Sequence, residues 1–354
     1  MRDATLLPPQ EDELPQLWQK PAYDVLVACL QDLRVQPRVW NAHVSRAEIL
    51  KQQAAATAAH DRREIISFLS TIIKSSLAWL DSDDEREVIW EEASKRMSER
   101  CGRTAMGEIT RCWPFEDPDY GAFSLAVREP PLTGDSLGLK TWGSSYALAR
   151  LLYEFTAAGP LAHLFVPGAL STPDEVLELG SGTGLLGLAA ACVWKASVVL
   201  TDLPTITPNL AHNASLNRDI VEARSGRVEV APLTWGSSSE EDTNERFQQL
   251  NGYQLIIVAD PLYDDDHPTL LASAIDEQLA LNPDARVLVM VPQRDEITKG
   301  LLGTLRDELA RRQSPLLCLE ESMVDGQDDW GEDDDDNDDG KDRVGFWWGV
   351  FGRE

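Results

Sequence analysis

The sequence predicts an α/β protein: a seven-stranded sheet whose last two strands form an antiparallel hairpin, preceded by a helical extension. Three features of the chain predict it. From residue 174 onward, short apolar runs alternate with helical or polar segments. The first run ends in a glycine-rich turn, "LGSGTGLLG". The last two runs are joined by "VDGQDDWGEDDDDNDDGKDR", which has no room for a crossover helix and so cannot link parallel strands.

Residues 1–120 read as a helical N-terminal extension and residues 121–354 as the α/β domain. "SRAE" (Ser45 to Glu48) and "SDDE" (Ser82 to Glu85) each match a capping box, in which a hydroxyl and a carboxylate satisfy helix-end amides. Between them, Ile65, Phe68, Leu69, Ile72 and Ile73 fall at helical spacing on one face. Helical patterning names no ligand, so the extension reads as packing material, with a substrate-docking module as the alternative.

The strand candidates follow in order: "EVLELG", "SVVLTD", "RVEVAPLTW", "QLIIVAD", "ARVLVMVPQ", "PLLCLEESM" and "VGFWWGVFG". A dinucleotide fold builds a second mononucleotide-binding half where this chain places a hairpin. In the last run Phe346 and Trp348 point to one face, Trp347 and Phe351 to the other. Apolar residues on both faces suit a strand inserted within a sheet covered on both sides. The acidic run through Asp333, Asp334, Asp335, Asp336, Asp338 and Asp339 repels itself and reads as a solvated loop, with capture of a basic partner as the alternative.

Charge narrows the function classes. The 354-residue chain carries 60 acidic against 32 basic residues, a net charge of −28, which disfavours a nucleic-acid or anionic-membrane surface. No segment has the apolar length of a signal peptide or membrane span. Cys29, Cys101, Cys112, Cys192 and Cys318 are scattered and lack C-x-x-C pairing, as expected of reduced thiols in a cytoplasmic protein. The five histidines show no metal spacing, so no metal is expected, and His267 reads as structural. The sequon Asn213-Ala-Ser215 is taken as chance.

The glycine turn admits two readings. Gly182, Gly184 and Gly187 spell the G-x-G-x-x-G of dinucleotide enzymes; Glu178, Gly180, Gly182 and Gly184 spell E-x-G-x-G-x-G. Asp202, closing the second strand, can accept from both hydroxyls of a ribose and fits either cofactor. Glu178 would repel a pyrophosphate yet could pair with the ammonium of S-adenosylmethionine; an internal ion pair is its other reading. Ligands of open parallel sheets sit outside the carboxyl ends of the strands, which puts Asp260 and Tyr263 of "VADPLYDDD" at the mouth of the site.

The ordered set "LGLKTWGSSYALARLL", "VLELGSGTGLLGLAAA", "LTDLP", "LTWG" and "VADPLYDDDHP" resembles the seven-strand protein-lysine methyltransferases of translation factors and chaperones. The resemblance spans residues 125–354 and implies a class I, Rossmann-like fold with S-adenosylmethionine as cofactor. It implies that Trp142, Glu178, Gly180, Ser181, Gly182, Asp202, Trp235 and Ala259 surround that cofactor, and that Asp260 and Tyr263 serve catalysis. With the helical extension and "GLKTWGSS", it further implies elongation factor 2 as the protein substrate of a monomeric enzyme. "DPLY" also resembles the D/N-P-P-Y element of methyltransferases acting on nucleobase or glutamine amines, although Leu262 replaces the second proline. A dehydrogenase and a non-catalytic S-adenosylmethionine-binding scaffold are the remaining alternatives.

Overall fold

A computed structural model describes residues 14–34, 62–100, 108–131, 137–165, 175–237, 244–327 and 343–353. They fall into two compact units, one holding the described residues up to Arg100 and the other those from Glu108 onward.

The first unit contains α1 (Tyr23–Asp32), α2 (Arg62–Lys74) and α3 (Asp83–Ser98). Leu26 and Leu30 of α1, Ile65, Leu69 and Ile72 of α2, and Ile89 and Ala93 of α3 form its core. Ile73, one of the five residues expected on the buried face of α2, is instead exposed. The Ser82 hydroxyl accepts from the Glu85 N–H at 3.0 Å, so this helix start is capped as its sequence requires. "SRAE" and the acidic run Asp333 to Asp339 lie outside the described residues.

The helical reading of residues 1–120 fails at Ile109. Strands β1 (Ile109–Phe115) and β2 (Phe123–Glu129) pair antiparallel as a separate two-stranded sheet. In β1, Arg111, Trp113 and Phe115 are buried while Cys112 and Pro114 are exposed. The period-2 pattern is there, but a buried arginine disguises it; Arg111 Nε pairs with Glu129 Oε2 at 3.2 Å. Pro114 is tolerated because a two-stranded sheet consists only of edges.

The main sheet contains β3 (Glu175–Leu179), β4 (Ser197–Asp202), β5 (Arg227–Pro232), β6 (Leu255–Ala259), β7 (Arg286–Pro292), β8 (Leu317–Gln327) and β9 (Arg343–Gly352). Its order is β5-β4-β3-β6-β7-β9-β8, parallel as far as β7, with β9 antiparallel to both neighbours. This is the class I methyltransferase sheet with its antiparallel last hairpin. The covering helices are α4 (Gly143–Ala157), α5 (Leu185–Trp194), α6 (Thr207–Leu216), α7 (Arg218–Ala223), α8 (His267–Gln278) and α9 (Glu296–Ala310). One core layer joins Phe346 and Trp348 to α4, α5 and the β1–β2 pair; the other joins Trp347 and Phe351 to α8 and α9. The aromatics of β9 therefore divide between the layers as their alternation demands.

Helix α6 and the residue that follows it hold β2 through two asparagines four residues apart, Asn213 and Asn217. Asn217 accepts from the Ala126 N–H at 2.9 Å and donates to the Ala126 carbonyl at 2.7 Å. Asn213 does the same for Arg128, at 2.9 and 3.1 Å, and also donates to the Thr183 carbonyl at 2.9 Å. These amides replace the missing neighbour strand along one edge of β2. Asn213 is fully buried, so its sequon serves packing. Among the described residues, no helix is long and apolar enough to cross a membrane, Cys29, Cys112, Cys192 and Cys318 are free thiols, and no His/Cys/Asp/Glu group is arranged to hold a metal.

Asn213→Ala leaves the Arg128 N–H and the Thr183 carbonyl without their partner, while the Arg128 carbonyl keeps the Asn209 amide, and should lower stability by roughly 2–4 kcal/mol. Urea unfolding monitored by fluorescence checks this, and an unchanged midpoint would remove the amide rung from the account.

Candidate active site

The site forms where β3, β4 and β6 end. Gly180 and Gly182 adopt positive φ, +69° and +56°, which lets the chain leave β3 and reverse toward α5 without a Cβ penalty. The turn is closed onto β4. The Ser181 N–H donates to the Thr201 carbonyl at 2.8 Å, and the Ser181 hydroxyl accepts from the Thr201 N–H at 3.0 Å. Ser181 is thus buried and engaged in pinning the turn. One residue on, the Gly182 N–H donates to Asp202 Oδ2 at 2.7 Å, while Oδ1 accepts from the Leu203 N–H at 2.7 Å. Burial raises the Asp202 pKa, and these two N–H bonds oppose the rise. Each carboxylate oxygen keeps a second lone pair for a ligand hydroxyl.

Strand alternation places Glu178 beside Val176 on the α5 side of the sheet, with Leu177 and Leu179 opposite. Its carboxylate lies beneath α5, where a Cβ on Gly187 would come within 2.4 Å of Oε2. The glycine is required there by close approach. Glu178 is 2% exposed, and its Oε2 is buried with no hydrogen-bond partner. It therefore sits behind the turn, beneath α5. Burial pushes its pKa up to about 8, opposed by the Ser181 hydroxyl and reinforced by the Asp202 charge.

The walls come from outside the turn. The Trp235 ring rests against it, 3.3 Å from where a Cβ on Gly180 would stand, and meets the His267 ring at 6.0 Å. Trp142, just before α4, donates its indole N–H to the Leu137 carbonyl at 3.1 Å. Two cations lie over its ring, Lys140 Nζ at 4.3 Å and the Arg294 guanidinium at 5.2 Å from the centroid. His267 Nδ1–H donates to the Pro261 carbonyl, 2.9 Å away, and the ring meets that of Tyr263 edge-on at 4.2 Å, which fits its structural reading.

Asp260 follows Ala259, the last residue of β6, at φ 55°, a left-handed conformation that Asp tolerates better than most residues. Its N–H is held by the Met290 carbonyl of β7 at 2.9 Å. Its carboxylate is grasped by Arg294 in a bidentate pair, 3.1 Å to Oδ1 and 2.6 Å to Oδ2, and the Ser144 hydroxyl donates to Oδ2 at 3.4 Å. Arg294 was not foreseen from the sequence; it stands two residues past β7, and only the pairing of β6 with β7 brings it to Asp260. Tyr263 is 58% exposed rather than buried. Partial burial raises its pKa, as do the charges of Asp202, Asp260 and Asp264.

Residues 124–308 match the family model described as lysine methyltransferase. The chain belongs to the lysine methyltransferase family. Among similar lysine methyltransferases, "Protein-lysine N-methyltransferase EFM2" of Saccharomyces cerevisiae is 32% identical over 75% of this chain and 62% of its own length. "Protein-lysine N-methyltransferase rrg1" of Schizosaccharomyces pombe is 29% identical over 67% of this chain and 72% of its own. The mouse "Protein-lysine N-methyltransferase EEF2KMT" is 29% identical over 44% of each chain. The chain thus spans under two thirds of the first relative.

Glu178 gives the family site a pH signature. Its folded-state pKa of about 8 lies above the unfolded value of 4.5, so the native state keeps a proton that the unfolded chain releases between those values. Stability should therefore fall as pH rises through that window, by at most about 5 kcal/mol. Glu178→Gln should flatten the decline, measured as melting temperature from pH 5 to pH 8.5; an equal slope in both proteins would remove Glu178 as its source.

Proposed function

We propose that this protein is an S-adenosylmethionine-dependent protein-lysine N-methyltransferase whose substrate is elongation factor 2. The observation that carries the reading is the convergence of the glycine turn, Asp202 and Asp260 at the carboxyl ends of neighbouring parallel strands. What supports the cofactor is fit. Gly180 and Gly182 leave room for close approach, Asp202 keeps lone pairs for ribose hydroxyls, and Trp235 and Trp142 offer aromatic faces. The orphaned oxygen of Glu178 lies behind the turn, and a cation arriving near it would favour its ionised form.

The cofactor supplies an electrophilic methyl group on a positively charged sulfur. The chain's task is to deliver a lysine amine in line with it and to exclude water. Lysine has a reference pKa near 10.4, so the site must favour the neutral amine. Asp260 and Tyr263 stand where that amine enters: Asp260 accepts a hydrogen bond from it, and the Tyr263 ring walls the channel. One proton would leave the amine nitrogen for solvent beforehand, and Asp260 and Tyr263 would hold the neutral amine in place for the methyl group that the bound cofactor would supply. The acidic surface, with a net charge of −28, suits a basic protein segment as substrate. Elongation factor 2 is supported by the helical N-terminal unit together with the "GLKTWGSS" segment.

Asp202→Ala removes the ribose acceptor and should weaken S-adenosylmethionine binding by roughly 1.5–3 kcal/mol. Calorimetry reads this directly, and wild-type affinity in the variant would overturn the cofactor placement.

Tritium transfer from labelled S-adenosylmethionine into purified elongation factor 2 tests the reaction itself. The wild type should label it, and Asp260→Ala should reduce turnover about a hundredfold with little change in cofactor affinity. Labelling of a different extract protein, with elongation factor 2 left unlabelled, would move the substrate elsewhere.

A further inference from the structure

The pairing of Asp260 with Arg294 raises a chemical difficulty. A buried carboxylate alone would stabilise the ammonium form of an incoming lysine, the form that cannot attack a methyl group. Here the carboxylate is already matched. The Asp260 side chain is 6% exposed and that of Arg294 28%, so the arginine is the more exposed partner of the pair. A group that reaches Asp260 therefore meets a fixed positive charge beside it. That charge is well anchored. Arg294 sits between Gln293, whose N–H is held by the Gly345 carbonyl at 2.8 Å, and Asp295, which caps α9 by accepting from the Thr298 N–H at 2.8 Å. Its guanidinium also lies over Trp142.

We infer that Arg294 is a positioning residue that holds Asp260 for the substrate lysine and, as a like charge beside the amine, favours its neutral, reactive form. The inference rests on the methyl-transfer reading above and deepens it. Arg294 bonds both oxygens of Asp260 and so fixes the plane of the carboxylate against which the amine is oriented. The pair is close to neutral as a unit, so it orients the nitrogen without tightening its hold on the proton. The other charged or titratable groups around this position are Tyr263, Asp264 and His267 after β6, Asp202 at the end of β4, Lys140 beside Trp142, and Asp295 beside Arg294. All are unchanged in an Arg294 variant, so a difference between variant and wild type reports the guanidinium.

The test is the pH profile of kcat/KM, using as substrate the protein band that the wild type labels most strongly in a cell extract, purified. Arg294→Gln removes the charge, Arg294→Met removes it while keeping an apolar stem over Trp142, and Arg294→Lys keeps a charge. Calorimetric S-adenosylmethionine affinity identifies the folded variants. The acid limb should move to higher pH by about one unit in the Gln and Met variants. Rates at pH 7 should then fall about tenfold and recover near pH 10, while KM stays level or drops. Arg294→Lys should keep the wild-type limb. A wild-type limb in the neutral variants, or a lysine variant that moves with them, overturns the inference alone. A wild type that labels nothing at any pH overturns the methyl-transfer reading and this inference with it.

Discussion

The closure of the β3–α5 turn onto the end of β4 is the constraint on which the site depends. Ser181 and Thr201 exchange two hydrogen bonds across adjacent strands, and the next residue ties its N–H to Asp202. The Thr201 hydroxyl completes the clamp by donating to the Glu178 carbonyl at 2.6 Å. These bonds hold the turn at positive φ, start α5 at a defined point, and aim Asp202 back over the turn. Without them the turn would be a flexible glycine loop, and ordering it on binding would cost conformational entropy.

Rigidity behind the turn has a second source. Thr183 lies inside it, its hydroxyl 2.8 Å from that of Thr141 and its carbonyl bonded by Asn213. The Thr141 N–H donates in turn to Glu129, which pairs with Arg111. The turn, the segment entering α4, and the β1–β2 pair are therefore one buried polar network. Such a network favours a single arrangement because any unpaired member would be costly in a low dielectric. It links strands far from the chemistry to Trp142, which begins the wall of the site.

The two ends of the site handle charge differently. At the turn, Glu178 is sealed beneath α5, and burial, reinforced by the Asp202 charge, raises its pKa to about 8. At the end of β6, the Asp260 carboxylate is also largely buried but carries its counter-charge with it, in a bidentate geometry suited to a guanidinium. An uncompensated acid suits a place where a cation arrives. A compensated one suits a place where the arriving group must not remain a cation.

Local pattern determined the sheet, its hairpin, the two-sided burial of β9 and the positions of Gly182, Asp202 and Asp260, because period-2 alternation, glycine turns and strand ends are properties of neighbouring residues. The same reasoning missed β1, where an inward arginine disguised the alternation until Glu129, eighteen residues on, supplied its partner. It did not show that Glu178 would be sealed beneath α5, because spacing along a strand does not say what lies beneath the helix that follows. It passed over Arg294 because nothing in "VPQRDE" marks an arginine as special. Only the pairing of β6 with β7 sets that side chain against Asp260. Charge partners contributed by different strands depend on packing in three dimensions, and there the tertiary structure alone decided.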